Sequence, residues 1–111
     1  MVEALQMCHS KGYMHRNLKP DNILVNAEGN VVLTDFALGR LMTRPQADYS
    51  PEDPKERDRS SREAQRLYYR APELLLRKKS YSQEVDMWSV GCILAELATS
   101  SVLFEGYSEI E

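Results

Sequence analysis

The sequence predicts a mostly α-helical chain with one small β-hairpin, part of an α+β domain. Three observations predict it. Apolar positions near the N-terminus (Val2, Leu5, Cys8, with His9 beside them) recur every three to four residues, the beat of a helix with one buried face. Two short β-branched runs, Ile23 to Val25 and Val31 to Thr34, flank the turn-forming cluster NAEGN, the pattern of a hairpin. The stretch from Ser82 to Thr99 carries charge only at Glu84, Asp86 and Glu96, which makes it a helix that is apolar nearly all round.

The elements follow in order. Gly12 supplies a stop for the first helix. After the hairpin, residues 45 to 63 hold six acids and four bases with prolines at 45, 51 and 54 and no apolar period, so an exposed loop is expected there. The run RAPELLLRK restarts helical character, with Pro72 suited to a first turn and Lys/Arg gathered near the end to complement the helix dipole. Ser82 is the expected cap of the last helix, about residues 83–99. A helix apolar on most sides, Trp88 included, belongs at the centre of a domain. A chain of 111 residues offers little to surround it, so the expectation is a piece of something larger.

Composition narrows the classes. At 42% hydrophobic and 28% charged the chain is that of an ordinary globular protein. A net charge of -3 argues against a nucleic-acid or anionic-membrane partner, since both would be repelled. Cys8 and Cys92 lie among apolar residues without zinc-ligand spacing and read as buried reduced thiols, which fits a cytoplasmic or nuclear address. Neither a secretory signal nor an apolar stretch of membrane-spanning length occurs in the sequence.

Chemistry enters with the order of short motifs: His15-Arg16-x-Leu18-Lys19-x-x-Asn22, the hairpin, Asp35-Phe36, the polar loop, Ala71-Pro72-Glu73, then Asp86-x-Trp88-Ser89-x-Gly91. Each is weak alone, but the set in this order resembles the signature of eukaryotic protein kinases. The wording of YRAPELLL, DMWSVGCILAEL and LFEGYSEIE is similar to the serine/threonine kinases of the cyclin-dependent and mitogen-activated group. The resemblance implies that residues 1–111 are part of a kinase C-terminal lobe, with a catalytic loop at 15–22, an activation segment at 35–73 and a central helix at about 83–99. The small lobe and the end of the large lobe are expected to be absent from these residues.

By that resemblance, Asp35 and Asn22 would hold Mg²⁺ on the phosphates of ATP, and Lys19 would stand beside the transferring phosphoryl group. His15 and Asp86 would hold the loop's geometry. Arg16 would pair with a phosphate on the activation segment, where Tyr49, Ser50, Ser60 and Ser61 are candidates; the plain alternative is a solvated charge run. Glu73 would lose the arginine it pairs with in the family. Asn17 stands where the family has the aspartate that accepts the substrate's proton, and an amide is no base at neutral pH. General-base help is worth about 10²- to 10⁴-fold. Ala37, Arg66 and Tyr68 depart from the family pattern too, as though Gly39 and Ala37 had exchanged places. No Gly-rich loop or Val-Ala-Ile-Lys strand precedes His15.

The expectation is a kinase-like chain, inactive or strongly impaired, acting on or binding a protein. Two alternatives are a non-catalytic binding module and an incomplete stretch of a slow, active kinase.

Overall fold

The computed structural model describes residues 1–36, 39–42 and 67–106. Helix α1 (Val2–Ser10) buries Leu5, and its last carbonyls receive the N–H groups of Lys11 and Gly12. Gly12 adopts φ +81, which lets the chain reverse into strand β1 (Tyr13–Met14). A loop follows, then a single 3₁₀ turn over Pro20–Asn22.

The expected hairpin forms. Strands β2 (Ile23–Val25) and β3 (Val31–Leu33) pair antiparallel with Ile23 opposite Leu33 and Val25 opposite Val31. Its turn is closed by Asn26, whose side-chain Oδ1 accepts from the N–H groups of Glu28 and Asn30, while Gly29 takes φ +83. A second pair was not foreseen: β1 lies antiparallel to β4 (Arg40–Leu41), Tyr13 opposite Leu41. Two-residue strands whose partners are far apart in the chain carry no alternation to read.

Helix α2 (Pro72–Leu75) is shorter than RAPELLLRK implies. Arg77 turns left-handed at φ 56, with its N–H on the Leu74 carbonyl and that of Lys78 on the Glu73 carbonyl. This is the Schellman stop, with an arginine where glycine is usual, so Lys78 and Lys79 lie beyond the helix and do not complement its dipole.

Helix α3 (Glu84–Thr99) is the longest element. The expected Ser82 cap is corrected: Gln83 holds the cap position, and the Ser82 hydroxyl donates to the Glu84 carboxylate instead of receiving a backbone N–H. The first turn is tied by i to i+3 bonds from Val85 to Ser82 and from Asp86 to Gln83. One face buries Val85, Asp86, Ser89, Val90, Cys92 and Ile93. The other leaves Met87, Leu94 and Leu97 exposed, with Trp88 39% exposed and stacked on Phe104 at 5.7 Å. Trp88, expected in the core, is thus only half-covered, with Phe104 stacked against it.

The core joins Leu5 of α1, Leu18 of the loop, Leu33 of β3, Tyr69, and Val90, Cys92 and Ile93 of α3. Burial pushes the Cys92 thiol's pKa up, and both cysteines are free thiols, as expected, with Cys8 half-buried. Tyr69 is bound to α3 twice. Its carbonyl accepts from the Ser89 hydroxyl at 2.6 Å and its own hydroxyl donates to Glu96 at 2.5 Å.

Burial first, and then the Glu96 carboxylate, push the Tyr69 phenol well above its ordinary value of 10.0. The native state therefore holds this proton more tightly than the unfolded chain does. Its contribution is complete below pH 10.0 and declines as the pH climbs above that toward the native value. Tyr69→Phe should lower neutral-pH stability by about 1 kcal/mol and flatten the alkaline decline. Urea melts across that range measure both.

Candidate active site

The hairpin register builds the site. Beyond the pair Ile23–Leu33, Thr34 continues the ladder, its N–H and hydroxyl both donating to the Asn22 carbonyl at 2.9 and 3.3 Å. Asn22 is therefore tied to Thr34 at the open end of the hairpin, and Asp35 follows directly in the chain. Asn22 is buried; Asp35, at φ 61, is exposed.

The loop at 15–22 is held from below by one carboxylate. Asp86, in the first turn of α3, has no solvent exposure. Its Oδ1 accepts the Arg16 N–H at 2.8 Å; its Oδ2 accepts the His15 N–H at 2.9 Å and the His9 Nε2–H at 2.8 Å. Two successive amides can converge on one acceptor because Arg16 is left-handed, φ 67. Such paired N–H groups form a small anion-binding concavity. A non-glycine residue in that conformation costs about 1–3 kcal/mol, which the charge-assisted bonds to Asp86 offset.

His15 relays this anchor to the hairpin. Its Nδ1 accepts the Asn17 N–H at 3.2 Å and its Nε2 donates to the Thr34 carbonyl at 2.8 Å, so these partners place the proton on Nε2. The ring meets Phe36 edge-on at 4.5 Å. Asn17 then links both sides of the site: its carbonyl accepts from Asn22 Nδ2 at 2.7 Å, and its Nδ2 donates to Asp35 Oδ2 at 3.3 Å.

His15, Arg16, Asn17, Asn22, Asp35 and Asp86 thus form one hydrogen-bonded chain. Lys19 leaves the loop in extended backbone, φ -158, half-buried, its carbonyl receiving the Asn22 N–H. Glu73 stands apart, in the first turn of α2 and half-buried. Arg16 is 5% exposed and its Nη1 donates to the Tyr81 hydroxyl at 2.5 Å. Gly39 is tightly enclosed: a Cβ would lie 3.0 Å from the Phe36 carbonyl oxygen and 3.2 Å from that of Met14, so the backbone would have to shift by a few tenths of an ångström to accept one. Ala37, Arg66 and the expected modification sites at 49, 50, 60 and 61 lie outside the described residues. Tyr68 is partly buried against the core.

Sequence reasoning missed His9 and Tyr81. His9 was legible only as a polar residue on the apolar side of α1; nothing marked Tyr81.

The protein kinase domain model matches residues 1–111. The chain belongs to the protein kinase family. It is 46% identical over 110 residues to a cell division control protein 2 homolog of Trypanosoma brucei brucei, a match covering 99% of this chain and 32% of that protein. Among solved structures it is similar to a chain of the yeast RNA Pol II CTD kinase complex, at TM-score 0.79 and 36% identity over 97% of this chain and 32% of that one. This kinase chain therefore spans about a third of the length of these relatives. By homology it falls with the serine/threonine kinases, close to the cell division control protein 2 homologs.

The family uses ATP and Mg²⁺ in general. The residues fit such an ion: Asp35 offers an exposed carboxylate, and Asn22, with its amide donor committed to Asn17, keeps its oxygen for a cation. Mg²⁺ takes one or two such protein oxygens and fills its remaining positions from phosphates and water. Among the described residues no cluster of three or more His, Cys, Asp or Glu could hold a metal unaided. Among them, too, no helix is long and apolar enough to cross a membrane.

Asp86→Ala would leave two buried backbone donors and the half-buried His9 ring unpaired and should cost about 3–5 kcal/mol; His9→Ala should cost about 1–3 kcal/mol. Because both act on the same carboxylate, the double variant should lose less than the sum. Denaturant midpoints of the three proteins decide this.

Proposed function

We propose that residues 1–111 are the central part of the C-terminal lobe of a serine/threonine protein kinase of the cyclin-dependent and mitogen-activated group, in which phosphoryl transfer to a protein substrate is lost or strongly impaired. In this reading residues 15–22 are the catalytic loop, 35–73 the activation segment and about 83–99 the central helix. Asn22 and Asp35 are the magnesium positions, Lys19 the cation beside the γ-phosphate, Asn17 the residue at the proton-acceptor position and Arg16 the partner of a phosphorylated segment. His15 and Asp86 shape the loop, and Glu73 stands at the end of the activation segment without the arginine it pairs with in the family. The ATP-binding small lobe is no part of these residues. The similarity to cell division control protein 2 homologs supports the choice of group.

One observation carries the impairment. The group at the proton-acceptor position has its donor end on Asp35, and an amide there can orient a hydroxyl but cannot take its proton. Bound ATP and Mg²⁺ would supply the phosphoryl group and neutralise its charge. The chain's own residues align the acceptor and hold the loop.

The test compares the purified chain with its Lys19→Ala variant, using ATP and a generic protein substrate. No incorporation above that control is expected, and a rate that vanishes with Lys19 overturns the proposal. In a longer natural form with a small lobe, Asn17→Asp should raise turnover by about 10²- to 10⁴-fold.

A second reading, a non-catalytic binding module, is favoured by the apolar outer face of α3, where Leu97 is 74% exposed. It requires a partner that co-purifies at fixed stoichiometry whether or not Mg-ATP is present. A monodisperse chain without one counts against it.

A further inference from the structure

We infer that Asn17 takes over the cation's task at Asp35: its amide holds the carboxylate that a metal would otherwise neutralise, and the loop is ordered without divalent ions. The inference rests on reading Asp35 as the metal position.

Asn17 is 6% exposed and its backbone is clamped on both sides. Its N–H is fixed on His15 Nδ1 at 3.2 Å and its carbonyl on Asn22 Nδ2 at 2.7 Å. From this clamped backbone its side-chain Nδ2 reaches Asp35 Oδ2 at 3.3 Å. Asp35 is held in turn by a left-handed backbone, φ 61.

Replacing that amide by a carboxylate would set two acceptor oxygens against each other at this same separation. Two carboxylates in contact either share a proton, which neutralises one of them, or stay ionised with a cation between them. Such a site gains affinity for metal because the metal relieves the repulsion. The amide reverses the sign: it donates, Asp35 accepts, and the pair is satisfied as it stands. A metal approaching Oδ2 must displace the amide, and one approaching the other oxygen meets one negative charge where it would have met two. Affinity of oxygen sites follows the number of charged ligands, so both routes weaken binding. The substitution at position 17 thereby does two things at once, removing a base and removing the site's need for an ion.

Mn²⁺ serves as the probe, its free concentration followed by electron paramagnetic resonance on the whole chain, with melting temperatures recorded in parallel. Asn17→Asp should bind Mn²⁺ about tenfold or more tighter than the natural chain. The gain should disappear in Asn17→Asp/Asp35→Asn. The melting temperature of Asn17→Asp should rise with Mn²⁺, and that of the natural chain should not. If Asn17→Asp fails to fold, Asn17→Ala decides, because it deletes the donor without adding charge and should still raise Asp35-dependent Mn²⁺ affinity a few-fold. Equal, Asp35-dependent Mn²⁺ binding by the natural chain and the position-17 variants overturns the inference while leaving Asp35 as a metal position. Binding that is indifferent to Asp35→Asn in every background overturns both.

Discussion

Everything at the open end of the hairpin depends on one buried carboxylate. Asp86 lies in the first turn of α3, where its negative charge suits the helix dipole, and receives three donors, two of them backbone amides that would otherwise be stranded away from water. Because two of them are consecutive backbone amides, the chain must bend left-handed at Arg16. That bend aims His15 under the loop, where its two ring nitrogens join Asn17 to Thr34. The hairpin, the loop and the longest helix are thus registered to each other by polar contacts, with the apolar cluster around Leu5, Leu18, Leu33 and Ile93 supplying the burial that gives those contacts their strength.

This architecture separates aiming from reacting. The residues that aim the loop have their polar atoms matched to named partners, as the Asp86 and His15 bonds show. The position that would react holds an amide, and the amide is itself woven into the network through Asp35 and Asn22. A side chain that merely filled space there would leave Asp35 Oδ2 without this donor. The chemistry at position 17 is therefore coupled to the electrostatics at position 35.

Most of the elements could be read from the residues, for identifiable reasons. The hairpin was legible because its register and its turn are both local: β-branched runs, an Asn that closes the loop and a glycine at positive φ. Helix α3 was legible from length and composition, although not its cap, since the Ser82 hydroxyl goes to a carboxylate. The β1–β4 pair and the abrupt end of α2 escaped notice. The first rests on contacts between distant segments, and the second on a left-handed Arg77 where the usual glycine signal is missing. In the site, the positions were visible through motif order, but their mutual bonds were not. That His9 and His15 share one oxygen of Asp86 is a fact of tertiary geometry, 77 and 71 residues apart in sequence.

The hairpin's register also bears on how insertions in kindred sequences are to be read. Side chains along a strand alternate faces, so adding one residue within β2 or β3 would slip the register and disrupt the bond from the Thr34 N–H to the Asn22 carbonyl that closes the open end. Residues added between Asn26 and Asn30 would lengthen only the distal turn, since the ladder is sealed there by the bond from the Asn26 N–H to the Asn30 carbonyl at 3.0 Å. Added length at the tip leaves that register in place, whereas a single residue inserted in either strand marks a chain in which the register no longer sets the places of Asn22 and Asp35.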